Sequence, residues 1–238
     1  RGYKRNTKGF YIAGENSSAE KIGDEPFQFY QKFRDIVVSV DGNRQNGISQ
    51  LRQLQNTPEI ILLDDGFQHR KVNAGLKILL TTYAKLYVDD FILPTGNLRE
   101  PRLGAKRAQI IIVTKCPYDL KEDEKKKIIA KLNPLSSQNV FFSTIKYSKK
   151  MFNLNKSKPL ASIINQKFYL VTGIANPKPM VDFLKTNGFN FEHLKFKDHH
   201  SFSKKEIENL KTKSLIITTV KDYSKLKAKI YDDRLFYL

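Results

Sequence analysis

The sequence predicts an α/β protein, in which a mostly parallel sheet is flanked by helices and followed by a smaller α/β domain. Two observations predict this class. Short apolar runs rich in β-forming residues alternate with helical stretches along the chain. The alternation changes after Asn133 and resumes beyond a polar segment that begins at Ser148. The 238 residues suffice for one large domain or two small ones.

The first part of the chain contains apolar runs that predict strands, separated by stretches that predict helices. The predicted strands are 35–40, 60–64, 76–82 and 109–114. The predicted helices are 25–34, 47–56 and 122–132. The last of these has acidic residues in its first turn and lysines after them, as the helix dipole favours. These elements predict a parallel sheet with helices on its faces.

The remaining chain predicts a second, smaller alternation. It follows a strand predicted at 139–147 and a polar segment. Its predicted strands are 167–172, 192–197 and 214–219, and its predicted helices are 179–187, closed by Gly188, and one that begins at Ser203. Ser203 and Glu206 have the spacing of a capping box, which supports that helix start. We therefore predict a core domain at 1–147, a linker at 148–166 and a smaller α/β domain at 167–238.

The composition limits the function classes. The single Cys116 excludes a disulfide framework and a thiolate metal site. The formal charge of +18 is explained either by a lysine-rich solvated surface or by attraction to an anionic membrane or polyanionic substrate. Nucleic-acid binding would also use this charge, but the sequence has no aromatic RNA-binding motif, zinc finger or basic zipper. No nucleic-acid partner is expected.

The segment IILLDDGFQHR, 60–70, ends an apolar run with two adjacent aspartates. Phosphate-transferring α/β enzymes hold Mg²⁺ with an aspartate at such a strand end, because a hard cation prefers carboxylate oxygen. Side chains of neighbouring strand residues point to opposite faces, so only one of Asp64 and Asp65 would reach a metal. Gln68 and His69 add polar groups at the same edge. A turn with a capping aspartate explains the pair equally well.

Three further segments contain candidate catalytic or binding residues, and each also has a purely structural explanation. Asp24 precedes Glu25-Pro26, where a helix N-cap would also place an aspartate. Asp198, His199 and His200 lie between a strand and a helix and are acid/base candidates, although single histidines are often structural. The loop 93–108 is rich in arginines that suit phosphate binding, or it is a solvated loop.

Taken in order, RGYKR, GDEP, the strand ending DDGFQH, LPTGNLREP, TGIANP, DHHSF and TTVKD resemble the tetraacyldisaccharide 4′-kinases, also called lipid A 4′-kinases. The resemblance spans essentially the whole chain. It implies a P-loop-type kinase that transfers the γ-phosphoryl group of ATP to the 4′-hydroxyl of an acylated glucosamine disaccharide 1-phosphate lipid. It also implies a peripheral or monotopic protein at an anionic membrane surface, the cytoplasmic face of the inner membrane of a Gram-negative bacterium.

The resemblance also implies roles for individual residues. Asp24 matches the proposed catalytic base of the family, and His199 matches the partner of that base. Asp64 and Asp65 match a Walker B-like pair that would serve Mg²⁺ and the phosphates. The remaining matched residues would line the ATP site, with Glu100 also a candidate Mg²⁺ ligand: Gln68, His69, Arg99 and Glu100.

A phosphate loop of the form G-x-x-x-x-G-K-[ST] does not occur in residues 1–238. In the family it lies upstream of the RGY segment, so the resemblance implies a chain truncated before RGY, without the first strand. We expect such a fragment to be nearly inactive alone, with a gap in the first sheet and exposed apolar surface beside it.

Two alternatives to a kinase remain at this stage. A non-enzymatic basic protein would bind anions or membranes in a salt-dependent manner that ignores Asp24 and Asp65. A metal-dependent phosphohydrolase would use Asp64, Asp65 and His69, would need no ATP-binding loop, and would turn over without a sugar acceptor. Neither alternative explains the ordered set of motifs.

Overall fold

The structure is a computed structural model that describes residues 2, 5–198, 200–230 and 233–238. The described residues form seven α-helices and eleven β-strands. The helices are α1 (Ala19–Ile22), α2 (Asp24–Lys32), α3 (Arg44–Arg52), α4 (Glu122–Leu132), α5 (Lys178–Thr186), α6 (Lys204–Lys211) and α7 (Val220–Leu226). The strands are β1 (Tyr11–Ile12), β2 (Ser39–Val40), β3 (Ile78–Thr82), β4 (Ile110–Cys116), β5 (Asn139–Thr144), β6 (Lys150–Phe152), β7 (Ser157–Pro159), β8 (Phe168–Thr172), β9 (Phe191–Lys195), β10 (Ile216–Thr218) and β11 (Leu235–Tyr237).

The chain divides into two compact units. One is Arg44–Lys146, and the other joins the segment that ends at Asn43 to the segment that begins at Tyr147. The sequence-based division instead grouped residues 1–147. The difference arises because helix α2 packs against helix α7, a contact between distant parts of the sequence.

The unit Arg44–Lys146 contains a parallel three-stranded sheet in the order β3-β4-β5. Alternate side chains of β4 are buried, and Ile111 and Val113 are completely so. Ile128 and Leu132 of α4 pack against them. The core of the unit is therefore built from alternate residues of the strand, which pack against apolar helix residues at i and i+4.

The other unit contains a six-stranded sheet in the order β7-β6-β11-β10-β8-β9. Strands β11, β10, β8 and β9 are parallel, whereas β6 and β7 pair in an antiparallel manner at one edge. Phe168 and Leu170 of β8 pack in the cluster that includes α5 residues, and Val171 packs in the cluster that includes residues of α6 and α7. The sheet is therefore covered by helices on both faces, and the loops that follow β8 and β10 emerge at the same edge.

The predicted α/β class, with parallel sheets flanked by helices, is confirmed. Helix α4 has the predicted bounds, and α6 begins after Ser203 with both hydrogen bonds of the capping box. The strand predicted at 35–40 is reduced to β2. Helix α7 and strand β11 are additional elements that the sequence patterns did not indicate.

The strand predicted at 60–64 is wrong. This segment has no strand structure, and the side chain of Leu62 is 89% exposed. In the described part of the unit, β3 is an edge strand that pairs only with β4, and its Leu80 is also exposed. An apolar run becomes a strand only when a neighbouring strand pairs its backbone groups, and no described strand pairs with this run.

The segment 148–166, predicted as a linker, contains β6, β7 and a 3₁₀ helix at Leu160–Ile163. Met151, Leu160 and Ile163 are buried in the core of the six-stranded sheet. The first part of the segment, 148–158, has only three apolar residues, so its pattern resembles that of a solvated turn. Pairing with β11 recruits it to the sheet.

No helix in the described ranges is both long and apolar enough to cross a membrane.

The capping box of α6 predicts a pH-dependent stability. Hydrogen bonds from the Ser203 backbone N–H, and then from His200, lower the pKa of Glu206 from 4.5 to about 2. Because the folded-state pKa is depressed, the contribution is fully present above about pH 4.5 and is lost as the pH falls through about 2. We expect Glu206→Gln to lower the melting temperature at pH 6 by more than at pH 2.5. A melting-temperature difference that is the same at both pH values would contradict this prediction.

Candidate functional site

The loops after β8 and β10 carry the TGIANP and TTVKD motifs. Asp222, in the first turn of α7, is completely buried. Its Oδ2 accepts hydrogen bonds from the Gly173 backbone N–H at 2.8 Å and from the Thr219 hydroxyl at 2.8 Å. One carboxylate therefore joins the carboxyl ends of two neighbouring strands.

The close approach of these two motifs requires a glycine at position 173. A Cβ atom placed there would lie 2.8 Å from Asp222 Oδ1 and 3.5 Å from His200 Cβ. Asp222 Oδ1 is itself buried, and it has no hydrogen-bond partner in the part of the chain that the structure describes. A buried oxygen without a partner costs free energy, so the side chain is held by the two hydrogen bonds that Oδ2 accepts. These bonds fix the TGIANP and TTVKD segments to each other.

The DHHSF loop connects β9 to α6 and contacts the same edge of the sheet. Asp198 forms an ion pair with Lys221 of α7 at 3.0 Å. His200 contacts Glu206 through Nε2 at 3.0 Å, and its ring stacks on Phe196 with centroids 4.8 Å apart. His200 is thus held by the structure of the loop, which fits a structural role. His199 lies outside the described residues, and its assigned role stays a prediction.

Asp24 is the first residue of α2, after Gly23, which adopts a positive φ of 97°. Its carboxylate lies 3.2 Å from the Lys225 ammonium. Lys225 also donates a hydrogen bond to the His200 carbonyl oxygen at 3.3 Å. The GDEP motif therefore lies beside α7 and the DHHSF loop. The N-terminal position also stabilises an acidic side chain through the helix dipole, so both explanations of Asp24 are compatible with this geometry.

The unit Arg44–Lys146 holds the remaining candidates. Asp65 adopts a left-handed conformation with φ of 48°, immediately before Gly66. Arg99 donates to its two carboxylate oxygens at 2.7 and 2.8 Å. These bonds, assisted by one from Gln68, hold the pKa of Asp65 below its usual value. The segment DDGFQH and the loop containing Arg99 are therefore joined by a bidentate ion pair.

A second set of ion pairs joins the same two segments. Glu100 accepts hydrogen bonds from Arg107 at 2.9 Å and from Arg70 at 3.4 Å. Arg107 also donates to the Phe67 carbonyl oxygen at 3.0 Å and lies over the Phe67 ring. The His69 backbone N–H donates to Gly66 within the same turn. The structure thus brings Asp65, Gln68, Arg99 and Glu100 into adjoining loops.

The metal ligands implied by the resemblance are Asp64, Asp65 and Glu100. In the described ranges no group of three histidine, cysteine, aspartate or glutamate side chains has the geometry of a metal site. Asp65 and Glu100 are each engaged by arginines, and Asp64 is exposed. Mg²⁺ usually takes only one or two protein carboxylates and completes its coordination with water and phosphate oxygens. The exposed aspartate pair fits that chemistry, whereas a ligand set of three protein carboxylates is not formed.

Sequence reasoning assigned no role to Lys221, Asp222 or Lys225. The TTVKD motif could be found in the sequence. The partners of these residues could not be predicted from the sequence, because Asp24, Gly173 and Asp198 lie on other elements. Only the packing of α7 against α2 and the DHHSF loop reveals the contacts.

Comparisons with known proteins agree on one family. The family model described as tetraacyldisaccharide-1-P 4′-kinase matches residues 1–238. A tetraacyldisaccharide 4′-kinase of Flavobacterium johnsoniae is 51% identical over 241 residues, which cover 100% of this chain and 70% of that protein. The proteins of the same name from Flavobacterium psychrophilum and Bacteroides fragilis are 49% and 43% identical, covering 100% and 95% of this chain and 70% and 64% of those proteins. No solved structure matches. The chain belongs to the tetraacyldisaccharide-1-P 4′-kinase family.

Proposed function

We propose that this protein is an ATP-dependent kinase that phosphorylates the 4′-hydroxyl of a tetraacyldisaccharide 1-phosphate in lipid A biosynthesis. The family match over the whole chain supports this activity. One structural observation carries the proposal furthest. GDEP, DHHSF and helix α7, which begins within TTVKD, are distant in the sequence but lie in contact in one compact unit. Lys225 of α7 contacts Asp24 and the His200 carbonyl oxygen, and Lys221 of TTVKD pairs with Asp198.

The chemistry at Asp24 follows from the needs of the acceptor. A sugar hydroxyl is a poor nucleophile at neutral pH, and a carboxylate that accepts its proton as the phosphoryl group arrives accelerates the attack. Asp24 is partly exposed, with 28% of its side chain accessible, so a hydroxyl can approach it. Asp24 is therefore the proposed base.

His199 is the proposed partner of Asp24. Its neighbours Asp198 and His200 are held by Lys221 and Glu206, so both sides of the loop are anchored. Lys225, which contacts Asp24, also bonds the carbonyl oxygen of the next residue after His199. These contacts support a role for the DHHSF loop beside the base.

The unit Arg44–Lys146 supplies the proposed groups for ATP. The bidentate guanidinium of Arg99 suits the oxygens of a phosphate, to which paired donors bind well. Asp64 and Asp65 would hold Mg²⁺, which when bound neutralises phosphate charge. Gln68, His69 and Glu100 complete the proposed set, because they lie in the same two loops.

The proposed location is the cytoplasmic face of the bacterial inner membrane, with the protein bound peripherally or as a monotopic protein. The lipid acceptor and the membrane leaflet are both anionic, and the chain has a formal charge of +18. Lysine and arginine side chains near such a surface contribute about 1 kcal/mol each to binding. The charge therefore supports recruitment to the surface that holds the substrate.

The direct test uses the full-length product of the gene that encodes this chain. The purified protein is incubated with Mg²⁺, ATP labelled in the γ-phosphate and a tetraacyldisaccharide 1-phosphate in mixed micelles. We expect label to appear on the 4′-oxygen of the lipid, which ³¹P spectroscopy distinguishes from the 1-phosphate. Release of labelled phosphate without lipid product would instead indicate a phosphohydrolase, and no turnover would indicate a binding protein.

The aspartate pair carries a prediction for the metal dependence. Asp65→Asn keeps a residue that tolerates the left-handed conformation, but it removes a negative charge. We expect a higher Mg²⁺ concentration for half-maximal transfer and a rate lowered by at least about tenfold at 1 mM Mg²⁺. The measurement is a Mg²⁺ titration of initial rates at fixed ATP. Asp119→Asn, in a loop before α4, is the control, and an unchanged titration for Asp65→Asn would contradict the assignment.

A further inference from the structure

We propose that Lys225 is a positioning residue, which holds the carboxylate of Asp24 against the DHHSF loop during phosphoryl transfer. This inference rests on the proposed kinase function and assigns a role to a residue of helix α7, beyond TTVKD, that the resemblance leaves open. The observation behind it is that one ammonium group lies 3.2 Å from the Asp24 carboxylate and 3.3 Å from the His200 carbonyl oxygen.

The chemistry of lysine suits this bridging position. An ammonium group has three donors and no acceptor, so it can bind a carboxylate and a carbonyl oxygen at the same time. A base works only when its oxygen lies within hydrogen-bond reach of the proton that it accepts. A cation that fixes Asp24 relative to the neighbouring loop therefore restricts the carboxylate to fewer orientations.

The burial of the pair separates it from ordinary surface ion pairs. The side chains of Lys225 and Asp24 are only 18% and 28% exposed. By contrast, Lys178 and Asp182, an i,i+4 pair on α5, are 76% and 53% exposed. Partly buried charges are screened less by water and salt, so this contact constrains geometry more than a solvated pair would.

Helix α7 is a rigid support for Lys225. Its first turn is fixed by the buried Asp222, which binds Gly173 and Thr219, and Thr219 also caps the helix. Tyr223 and Leu226, on either side of Lys225 in the sequence, are buried in the core.

Lys221 lies one turn earlier on α7 and pairs with Asp198. The helix thus presents two lysines at i and i+4 to GDEP and to the DHHSF loop.

The test is a double-mutant cycle in the full-length protein with the lipid kinase assay. Lys225→Met removes the ammonium and keeps most of the side-chain length, Lys225→Arg keeps the charge, and Asp24→Asn removes the base. Lys229→Met is the matched control, because Lys229 donates to a carbonyl oxygen of the same region, that of Phe202, at 3.3 Å. Thermal melts of all variants establish that each one is folded.

We expect Lys225→Met to lower kcat by about 10- to 100-fold while KM for ATP changes by less than about twofold, because the pair acts on the base. Lys225→Arg should recover part of the loss, and Lys229→Met should leave kcat within about twofold. In the Asp24→Asn background, Lys225→Met should lower kcat almost no further. This non-additivity distinguishes positioning of Asp24 from a general structural effect.

Two results would overturn the inference while leaving the kinase function intact. One is an unchanged kcat in Lys225→Met. The other is a loss of kcat on Lys225→Met that has the same size in the wild-type protein and in the Asp24→Asn variant. If the unaltered full-length protein transfers no phosphate to the lipid, the proposed function fails, and this inference fails with it. The wild-type assay therefore separates the two cases.

Discussion

Replacing Asp24 with asparagine is expected to lower kcat for lipid phosphorylation by about 10²- to 10⁴-fold, the usual contribution of a general base. Asparagine has nearly the same shape but cannot accept a proton from the sugar hydroxyl. KM for ATP should change little, because the groups proposed for ATP lie in a different compact unit. Initial rates at saturating lipid, measured with the full-length protein, provide the test.

Glu25→Gln is the matched control for Asp24→Asn. Glu25 is the next residue of α2, it is exposed, and its substitution removes the same charge from the first turn of the helix. We expect its kcat to remain within about threefold of wild type, as is usual for a surface substitution. Equal losses in the two variants would show that helix charge matters rather than a base at position 24. An unchanged kcat in Asp24→Asn would exclude Asp24 as the base.

Replacing Asp222 with alanine is expected to lower the free energy of unfolding by about 3 kcal/mol, because two donors lose their buried partner and each unsatisfied donor costs about 1–3 kcal/mol. The Gly173 N–H and the Thr219 hydroxyl are the donors. The measurement is urea unfolding of the full-length protein followed by far-ultraviolet circular dichroism. The transition of the unit that contains the six-stranded sheet should move to lower urea concentration.

Asp182→Ala is the control for Asp222→Ala. Its carboxylate pairs with Lys178 on the exposed surface of α5, and such i,i+4 pairs contribute about 0.3–0.5 kcal/mol. We therefore expect Asp182→Ala to change the free energy of unfolding by an amount near the limit of detection. A loss below about 1 kcal/mol in Asp222→Ala would mean that the buried carboxylate does not join the two motifs, since removing a buried hydrogen-bond partner normally costs more.

The elements that the sequence predicted well are those fixed by local signals. The bounds of α4 follow from acidic residues in its first turn and its apolar spacing. The start of α6 follows from Ser203 and Glu206, which form their capping bonds within four residues. Strand β8 follows from an uninterrupted apolar run that is buried on both faces. In these cases the residues that decide the structure are sequence neighbours.

The elements that the sequence predicted poorly depend on distant partners. The segment 60–64, which is apolar up to Asp64, favours a strand, but no described strand pairs with it, and it is not extended in a sheet. Strand β6 has almost no pattern of its own and forms because β11 pairs with it. Strand formation requires a neighbour for its backbone hydrogen bonds, and the identity of that neighbour is not a local property.

The sequence by itself determined the α/β class, the capped helices and the motifs that indicate the family, because each rests on residue types at short spacing. Only the tertiary structure decided that Asp24 meets Lys225, that Asp222 joins TGIANP to TTVKD, and that Arg99 holds Asp65. The physical reason is that these are contacts of charged and polar groups across elements. Their geometry is set by how buried helices and strands pack, and no local spacing along the chain encodes it.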